Sequence, residues 1–360
     1  MRTFYRFSLF LVISLFILIF IWNILSDDTP KSENNISEYS DSYVRNLLSQ
    51  IEAEIKSLSK VSFNNFIHQK MKLLESSPKL CDIKLLHSVP FCTERSQFID
   101  IKSMTYNEVT KFAEETEIKY GGYWVQSKCI TDNMIAIIIP FRGRWLQTME
   151  LLPVLHQILQ QQNVCYRIFI IEQLGSEAFN KGRVNNAGFL EIISMFSFNC
   201  VIFHDTDLIP ESSKIPYKCH DTGALHIASA VDVNNYVLPY STLIGGVIAF
   251  RPFQYLSVNG YSNYYWGWGL EDDDMEIRLK NTIGYKRIPE NVGRYKTMKH
   301  EPTTRFKIQN LRRNVLLTTA EKRMFTDGLN SLKYEIIRKT NKLLYTHIIV
   351  DIGTQPREFF

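Results

Sequence analysis

The chain has 360 residues, of which 45% are hydrophobic and 22% are charged. This length and composition support a large folded core and exclude a disordered tail, a peptide hormone and a miniprotein held only by disulfides. The 41 Lys and Arg residues against 37 Asp and Glu residues give a net charge of +4 without a long basic block, so nucleic acid is not an expected partner.

Residues 7–25 form an uncharged, strongly apolar segment. At about 1.5 Å per residue, a helix of this length spans the hydrocarbon core of a bilayer. We predict a retained transmembrane helix; a cleaved signal peptide is the alternative, although such peptides have shorter apolar regions that end in small residues. Arg2 and Arg6 precede the segment, which predicts a cytosolic tail at residues 1–6 and a type II topology for the rest of the chain.

Residues 26–80 are predicted to form a stem between the membrane and a folded domain at 81–360. The stem begins as a polar linker and contains the sequon Asn35-Ile36-Ser37, a candidate glycosylation site. Apolar residues from Val44 to Leu58 recur at helical spacing. This helix either packs on the chain's own domain or pairs with a second copy to form a stem dimer.

Short apolar runs alternate with helical stretches from residue 134 onward, at 134–140, 165–172 and 200–204. This alternation predicts an α/β fold with a parallel sheet covered by helices on both faces. Ligands of such sheets bind at the carboxyl ends of the strands. The patterns GxGxxG and GxxxxGK[ST] are absent from the sequence, so the common dinucleotide-binding and P-loop interpretations have no support.

Charged residues follow two of these runs. Asp205 and Asp207 come directly after the third run, and alternate residues of an extended chain face the same way, so they can bind one hard cation that in turn binds a diphosphate. Arg142 and Arg144 follow the first run and can contact a phosphate or a uracil edge, or lie on the surface without a ligand.

The segment 264–274, YYWGWGLEDDD, combines two indoles, two glycines and four acids. Flat aromatic rings offer stacking surface to sugar rings, and carboxylates bind hydroxyl groups or accept protons. His300 lies further along the chain and can complete a metal site, although a lone histidine is more often not a ligand. Together these motifs predict transfer of a sugar from a nucleotide diphosphate.

The same motifs resemble the animal β-1,4-galactosyltransferase family over Cys92 to Gly353. Seven blocks match in order: PFRGR, FHDTDLIP, LPYSTLIGGV, NYYWGWGLEDDD, VGRYKTMKH, TDGLNSLKY and YTHIIVDIG. The resemblance implies a GT-A type, Rossmann-like glycosyltransferase domain in the Golgi lumen. It also implies inverting, Mn²⁺-dependent formation of a β-1,4 bond to terminal N-acetylglucosamine (GlcNAc) on a glycoprotein or glycolipid.

The resemblance also assigns roles to individual residues. The donor-binding set is Pro140, Phe141, Arg142, Arg144, Phe179, Lys181, Asp205, Leu243 and Trp268. The acceptor-binding set is Tyr240, Leu270, Glu271, Asp272, Asp273, Arg305 and Phe306. Asp272 would be the catalytic base, with Glu271 beside it orienting the acceptor, and Trp268 would lie on a loop that closes over both substrates.

Metal ligands and disulfides are implied in the same way. The metal would be bound by Asp207, His300 and Met298. The expected disulfides are Cys92–Cys129 and Cys200–Cys219, and the resemblance assigns no partner to Cys81 or Cys165.

The chain departs from the family pattern at several of these positions. Leu243 stands where galactose-transferring members have tyrosine, and invertebrate members that transfer N-acetylgalactosamine (GalNAc) carry an aliphatic residue there. We therefore predict UDP-GalNAc as the donor, with UDP-Gal as the alternative. Thr297 occupies the usual methionine position of the metal site, and we favour the neighbouring Met298 as the ligand over Thr297 or water.

Three further departures concern Lys181, where arginine is usual, Val233, which replaces a basic donor-pocket residue, and Leu270, where glycine is usual. Two other classes of function remain. A catalytically inactive sugar-binding relative would not need Asp207, His300 and Asp272, and a metal-dependent phosphodiesterase would leave the WGWG segment unexplained.

Overall fold

The computed structural model of the chain describes residues 60–79, 105–125, 131, 133–299 and 315–355, which all belong to one compact unit. No helix in these ranges is both long and apolar enough to cross a bilayer. The predicted anchor at 7–25, the sequon at Asn35 and the predicted helix at 44–58 lie outside the described residues. The topology, the glycosylation site and the domain boundaries therefore stay predictions.

The described elements begin with two helices, α1 (60–76) and α2 (Tyr106–Glu115). The next elements are β1 (Tyr123–Trp124), β2 (Met134–Phe141), α3 (Trp145–Gln161), β3 (Cys165–Gln173), α4 (Lys181–Ile192), β4 (Cys200–His204), β5 (Leu208–Pro210), β6 (Ala224–His226) and β7 (Ala230–Val231). After a 3₁₀ turn at Asp232–Asn234 come β8 (Val247–Phe250), α5 (Pro252–Ser257), α6 (Glu271–Lys280), β9 (Tyr285–Arg287), β10 (Arg294–Thr297), α7 (Ala320–Arg323), β11 (Glu335–Asn341) and β12 (Thr346–Asp351).

One large sheet organises the described chain, with the strand order β11-β12-β3-β2-β4-β8-β6-β9 and with β1 paired to β3. The central strands β12, β3, β2 and β4 are parallel. Helix α3 is the crossover between the parallel neighbours β2 and β3, and α4 is the crossover from β3 to β4, which lie on either side of β2. The alternation of apolar runs and helical stretches predicts both crossovers. A smaller sheet has the order β5-β10-β7.

The sheet is mixed, which corrects the prediction of a parallel sheet. β4 pairs antiparallel with β8, and β8 pairs antiparallel with β6. The chain between β4 and β8 contains strands and a 3₁₀ turn but no α-helix. This half of the sheet therefore contains two antiparallel pairs, whereas β6 and the edge strand β9 pair parallel.

The core lies on both faces of the sheet because β2 is buried along nearly its whole length. Ala136 and Ile138 pack into the cluster on the side of α4, and Ile137 and Ile139 pack into the cluster on the side of α3. This alternation explains why the strand is a continuous apolar run rather than an alternating one.

Helix α1 falls within the predicted stem and packs against the same core. Phe63 and Leu74 are buried, and the ring centroid of Phe63 lies 5.7 Å from that of Phe325. The Oγ of Ser77 donates a hydrogen bond to the carbonyl oxygen of Ile193 at 2.7 Å. Residues 60–79 are thus part of the folded unit.

Candidate active site

Three carboxylates surround the ammonium group of Lys181. Its Nζ lies 3.0 Å from Oδ1 of Asp205, 3.3 Å from Oδ1 of Asp272 and 3.5 Å from Oε1 of Glu271. The Lys181 side chain is largely buried, with an exposed fraction of 16%. One cation therefore joins residues that the sequence assigns to the donor side and to the acceptor side.

Three element ends bring these groups together. Asp205 is the first residue after β4, Lys181 is the first residue of α4, and Glu271 and Asp272 begin α6. The Asn180 side chain accepts a hydrogen bond from the backbone N–H of Arg183 and so caps α4. Acids in the first turn of α6 are stabilised there because the helix dipole is positive at its N-terminus.

Burial and mutual repulsion shift the protonation of this cluster. Burial, together with the nearby charge of Asp207, raises the pKa of Asp205 to about 6, and Lys181 opposes the shift. Burial and the neighbouring Asp272 raise the pKa of Glu271 to about 7. Burial alone would lower the pKa of Lys181, but the charges of Asp205, Asp272 and Glu271 outweigh it and raise that pKa well above its ordinary value. Lys181 is therefore a permanent cation in this site.

Glu271 differs from its neighbours in one respect. Its Oε2 atom is buried and has no hydrogen-bond partner among the described residues. An acceptor left without a donor costs free energy unless a ligand or water satisfies it. The arrangement is thus suited to accept a hydrogen bond from a bound hydroxyl group.

Arginines at the end of β2 form the second part of the site. The Arg142 guanidinium lies 5.3 Å from the ring centroid of Phe179 and donates a hydrogen bond to the carbonyl oxygen of Glu177. Arg144 Nη1 lies 2.6 Å from Oδ2 of Asp207. The two aspartates of the DTD motif therefore contact different cations, Asp205 binding Lys181 and Asp207 binding Arg144.

The other residues of this strand end are built into the core. The carbonyl oxygen of Pro140 accepts a hydrogen bond from Oγ1 of the buried Thr206 at 2.9 Å. The Phe141 ring is buried and lies 4.3 Å from the Trp145 ring, centroid to centroid. The hydrogen bond from Thr206 holds the DTD motif against the end of β2.

Two of the residues predicted to bind a metal, Asp207 and Met298, lie directly next to the paired strands β5 and β10. The backbone N–H of Met298 donates to the carbonyl oxygen of Asp207 at 2.8 Å, next to the antiparallel pair formed by Thr297 and Leu208. Residues directly opposite each other in such a ladder share a face, and adjacent residues face opposite ways. Extending this register by one pair places Met298, and not Thr297, opposite Asp207; Met298 also packs against the hydrophobic cluster on the α3 side of the sheet.

No group of three or more His, Cys, Asp or Glu side chains in the described ranges is arranged to hold a metal ion. His300, the third predicted ligand, lies outside those ranges. The carboxylate of Asp207 and the thioether of Met298 suit an ion of intermediate softness, so the pair that is described fits Mn²⁺ better than Mg²⁺.

The acceptor-side residues cluster around the start of α6. The Tyr240 hydroxyl donates to Oδ1 of Asp273 at 2.9 Å. Burial raises the pKa of Asp273, and the negative charge of Asp272 raises it further, whereas the hydrogen bond from Tyr240 lowers it. Leu270 precedes the helix with φ of 69°, in the left-handed region. That conformation is strained for leucine and unstrained for glycine.

The two indoles of the WGWG segment have different environments. Trp266 is buried in the core with an exposed fraction of 2%, whereas 56% of Trp268 is exposed. Trp268 is thus the indole available to a substrate. Leu243 is half-buried, and Val233, which replaces a basic residue, is exposed.

The last acid of the EDDD run belongs to a buried ion network instead of the site. Asp274 Oδ1 accepts from Arg278 Nε at 2.6 Å, and Asp274 Oδ2 accepts from Arg323 Nη2 at 2.7 Å. Arg278 Nη2 also donates to Asp327 at 3.1 Å. The EDDD pattern by itself does not separate Asp274 from its neighbours, although Arg278 four residues later is a recognisable helical pairing signal.

One predicted disulfide is confirmed: Cys200 and Cys219 are bonded, with Cα atoms 5.6 Å apart. Cys165 is also disulfide-bonded, with a partner outside the described residues. The remaining predictions fall on residues that the structure does not describe, namely the bond Cys92–Cys129 and the acceptor-side residues Arg305 and Phe306.

Comparison with known proteins identifies the family. Residues 88–220 match the family model described as the N-terminal region of glycosyl transferase group 7, and residues 225–301 match the one described as the N-terminal domain of galactosyltransferase. The chain is 37% identical over 298 residues to beta-1,4-galactosyltransferase 3 of Cricetulus griseus, covering 81% of this chain and 75% of that protein. It is 38% identical over 242 residues to beta-1,4-galactosyltransferase 1 of Bos taurus, covering 67% of this chain and 60% of that protein.

Solved structures show the same fold. The catalytic domain of Drosophila beta1,4-galactosyltransferase 7 in complex with xylobiose has a TM-score of 0.56 and 24% identity, covering 63% of this chain and 97% of that one. A mutant of the same enzyme in complex with manganese, UDP-Gal and xylobiose has a TM-score of 0.55 at the same identity and coverage. The mixed α/β sheet is thus similar to that of a GT-A galactosyltransferase. The family models and the relatives together place this chain in the β-1,4-galactosyltransferase family, and it is a hexosyltransferase.

Proposed function

We propose that the chain catalyses inverting transfer of a hexose from a UDP-sugar to the 4-hydroxyl of a terminal GlcNAc, and that galactose is the preferred hexose. The observation that carries this proposal is the meeting of Asp205, Glu271 and Asp272 around Lys181. It supports a site in which a carboxylate proposed for the donor and the candidate base share one ammonium group. Reaction between two bound substrates requires such proximity.

In the proposed reaction, Asp272 accepts the proton of the acceptor 4-hydroxyl as the oxygen attacks the anomeric carbon. The bond between that carbon and the diphosphate oxygen breaks, and UDP leaves from the opposite face, which inverts the anomer. Glu271 and Asp273 flank the base and can accept hydrogen bonds from other acceptor hydroxyls. Closure of the exposed Trp268 over both substrates would exclude water and limit hydrolysis of the donor.

Cations of the chain would hold the nucleotide. Arg142 lies against Phe179, and Arg144 pairs with Asp207, so two guanidinium groups flank the end of β2 where the diphosphate would bind. Asp207, Met298 and His300 would hold Mn²⁺. When bound, the ion would neutralise charge that develops on the departing diphosphate.

The donor assignment depends on two observations that disagree. The relatives are named galactosyltransferases, and the Drosophila neighbour was solved with UDP-Gal, which supports galactose. Leu243 supports GalNAc as the second candidate, because a half-buried leucine leaves more room for an acetamido group than a tyrosine does. The relatives outweigh the single substitution, so the prediction of UDP-GalNAc is replaced by UDP-Gal as the main proposal.

The cellular setting is also a proposal. An apolar segment at 7–25, the sequon at Asn35 and disulfide-bonded cysteines all fit a type II protein anchored in the Golgi membrane with its catalytic domain in the lumen. The acceptor would then be a glycan on a glycoprotein or glycolipid, and the predicted helix at 44–58 would be the segment that pairs with a second copy in a stem dimer.

The test uses the full chain in detergent, with Mn²⁺, benzyl-GlcNAc and either UDP-Gal or UDP-GalNAc. We expect β-1,4 transfer of galactose in preference to GalNAc. A preference for GalNAc that Leu243→Tyr reverses would favour the second candidate. Binding of GlcNAc without transfer would indicate a sugar-binding relative, and phosphodiester hydrolysis without transfer would indicate a phosphodiesterase.

The role of the base is tested separately. Asp272→Asn is expected to lower kcat by about 10² to 10⁴ while the Kd for UDP stays unchanged. Asp221→Asn, which alters an exposed carboxylate paired with Arg251, is the control and should retain wild-type kcat. Near-normal turnover in Asp272→Asn would move the base to another residue.

A further inference from the structure

The segment 241–246 touches both sides of the proposed site. It carries Leu243, and its Gly245 packs against the candidate base, since a Cβ atom added to Gly245 would lie 2.6 Å from Oδ2 of Asp272. The carbonyl oxygen of Gly246 accepts a hydrogen bond from the backbone N–H of Asp205 at 2.9 Å. A shift of this segment would therefore move the wall of the donor pocket and the surroundings of two carboxylates together.

Two side chains from the sheet hold three alternate carbonyl groups of the segment. Arg287 Nη2 donates to the carbonyl oxygen of Ser241 at 2.9 Å and to that of Leu243 at 2.7 Å. His226 Nε2 hydrogen-bonds the carbonyl oxygen of Gly245 at 3.0 Å. Because a carbonyl oxygen only accepts, Nε2 of His226 carries the proton.

The same two residues hold each other in place. Arg287 Nε donates to His226 Nδ1 at 3.0 Å, which makes Nδ1 an acceptor and agrees with the proton on Nε2. His226 on β6 and Arg287 on β9 are directly paired in the parallel ladder. His226 is completely buried, and burial lowers its pKa to about 4, so the neutral ring that this pattern requires persists at neutral pH.

Few other contacts anchor the start of the segment. Ser241 and Thr242 are exposed, and the first fully buried side chain is that of Ile244. The backbone N–H of Leu243 donates to the carbonyl oxygen of Tyr240 at 3.2 Å, a bond within the same loop. The guanidinium fork of Arg287 therefore provides the main link between the backbone around Leu243 and the rigid sheet.

We propose that Arg287 and His226 are positioning residues that hold the 241–246 segment, and through it Leu243 and the Asp272 carboxylate, in the geometry needed for hexosyl transfer and donor discrimination. This inference rests on the proposed function. Neither residue is expected to touch the substrates.

The test compares Arg287→Met and Arg287→Lys with the wild-type full chain in detergent. Methionine keeps the length of the side chain without any donor, and lysine keeps the charge but lacks the fork that reaches several acceptors. Arg251→Met is the matched control, because Arg251 is also a half-buried arginine at a strand end of this sheet but donates to the exposed Asp221. Thermal melting checks that each variant is folded.

Hydrogen exchange and donor binding give readouts that do not need turnover. We expect faster amide exchange in a peptide covering 240–246 for both Arg287 variants, and wild-type exchange there for Arg251→Met. Kd values measured by calorimetry with Mn²⁺ are expected to show at least a threefold change in the ratio of UDP-Gal to UDP-GalNAc affinity relative to the wild-type chain. The Kd for UDP is expected to stay within about twofold of the wild-type value. In turnover, kcat should fall by about 10² at little change in donor KM, because small misplacements of reacting groups have effects of this size.

The proposal is overturned if exchange at 240–246, the donor ratio and kcat all stay at wild-type values in the Arg287 variants. It is also overturned if Arg287→Lys behaves as wild type, because charge alone would then suffice, or if Arg251→Met gives the same changes. Faster exchange without an altered donor ratio or kcat overturns it as well. If the wild-type chain transfers neither sugar, the proposed function fails. The role of Arg287 is then decided by amide hydrogen exchange at 240–246 and by the ratio of the two donor affinities, because neither measurement needs turnover.

Discussion

The Nζ of Lys181 lies 3.3 Å from Oδ1 of Asp272, and it lies 3.0 Å from Oδ1 of Asp205 on a different element. One ammonium group thus contacts both the start of α6 and the end of β4. Most of the charge balance of the site depends on it, because three carboxylates share this cation.

Removing that ammonium is expected to disable transfer. In Lys181→Met the carboxylates of Asp205, Glu271 and Asp272 lose their shared cation and repel one another, so we expect kcat to fall by about 10². Lys181→Arg should retain more activity, because a guanidinium can reach two carboxylates. Steady-state kinetics with UDP-Gal measure both, with Lys339→Met at the exposed pair with Glu191 as the control. Wild-type kcat in Lys181→Met would contradict the bridging role.

The strand register makes a prediction about the metal. The register of β5 and β10, extended by one pair, puts Met298 rather than Thr297 opposite Asp207. Met298→Ala should therefore raise the Mn²⁺ concentration for half-maximal activity by about 10-fold, and Thr297→Ala by less than about twofold. Electron paramagnetic resonance of free and bound Mn²⁺ measures the affinity without turnover. An equal effect of both substitutions would remove Met298 from the proposed ligands.

The backbone at Leu270 predicts a difference in stability between two variants. Leu270→Gly and Leu270→Ala both remove the side chain, but only glycine adopts φ of 69° without strain. We expect the glycine variant to be more stable than the alanine variant by about 1 kcal/mol in the free energy of unfolding, measured by chemical denaturation. Equal stability of the two would show that Leu270 is not strained in the folded chain.

A buried histidine predicts part of the acid sensitivity. The His156 Nε2–H donates to the carbonyl oxygen of Leu344, and Nδ1 accepts from the Tyr166 hydroxyl at 2.6 Å. Burial lowers the pKa of His156 from 6.5 to about 4. The unfolded chain therefore binds the proton more readily, and the contribution of this group is present above pH 6.5 and is lost as the pH falls towards 4.

The size of this loss is about 3 kcal/mol at pH 4, from the pKa difference alone. Unfolding by urea between pH 7 and pH 4 measures it. His156→Gln keeps a donor and an acceptor without titrating, so its stability should fall less steeply over that range. A slope identical to that of the wild type would show that His156 does not contribute to acid unfolding.

Much of the central fold could be predicted from sequence. The apolar runs at 134–140, 165–172 and 200–204 correspond to β2, β3 and β4, because strands buried on both faces have few polar residues. The mixed half of the sheet beyond β4 could not be predicted in this way. Its strands β6 and β9 have three residues each, and their order depends on partners far away in the chain.

The sequence by itself determined the family, the order of the motifs and the residue types that the chemistry needs, because these are local properties of the chain. Only the tertiary structure decided which acids of the EDDD run face Lys181 and which one is buried with Arg278 and Arg323. It also decided that Trp268 is the exposed indole and that Met298, not Thr297, hydrogen-bonds to Asp207 through its backbone. The physical reason is that helix phase, strand register and burial are set by packing against distant elements, which no local pattern contains.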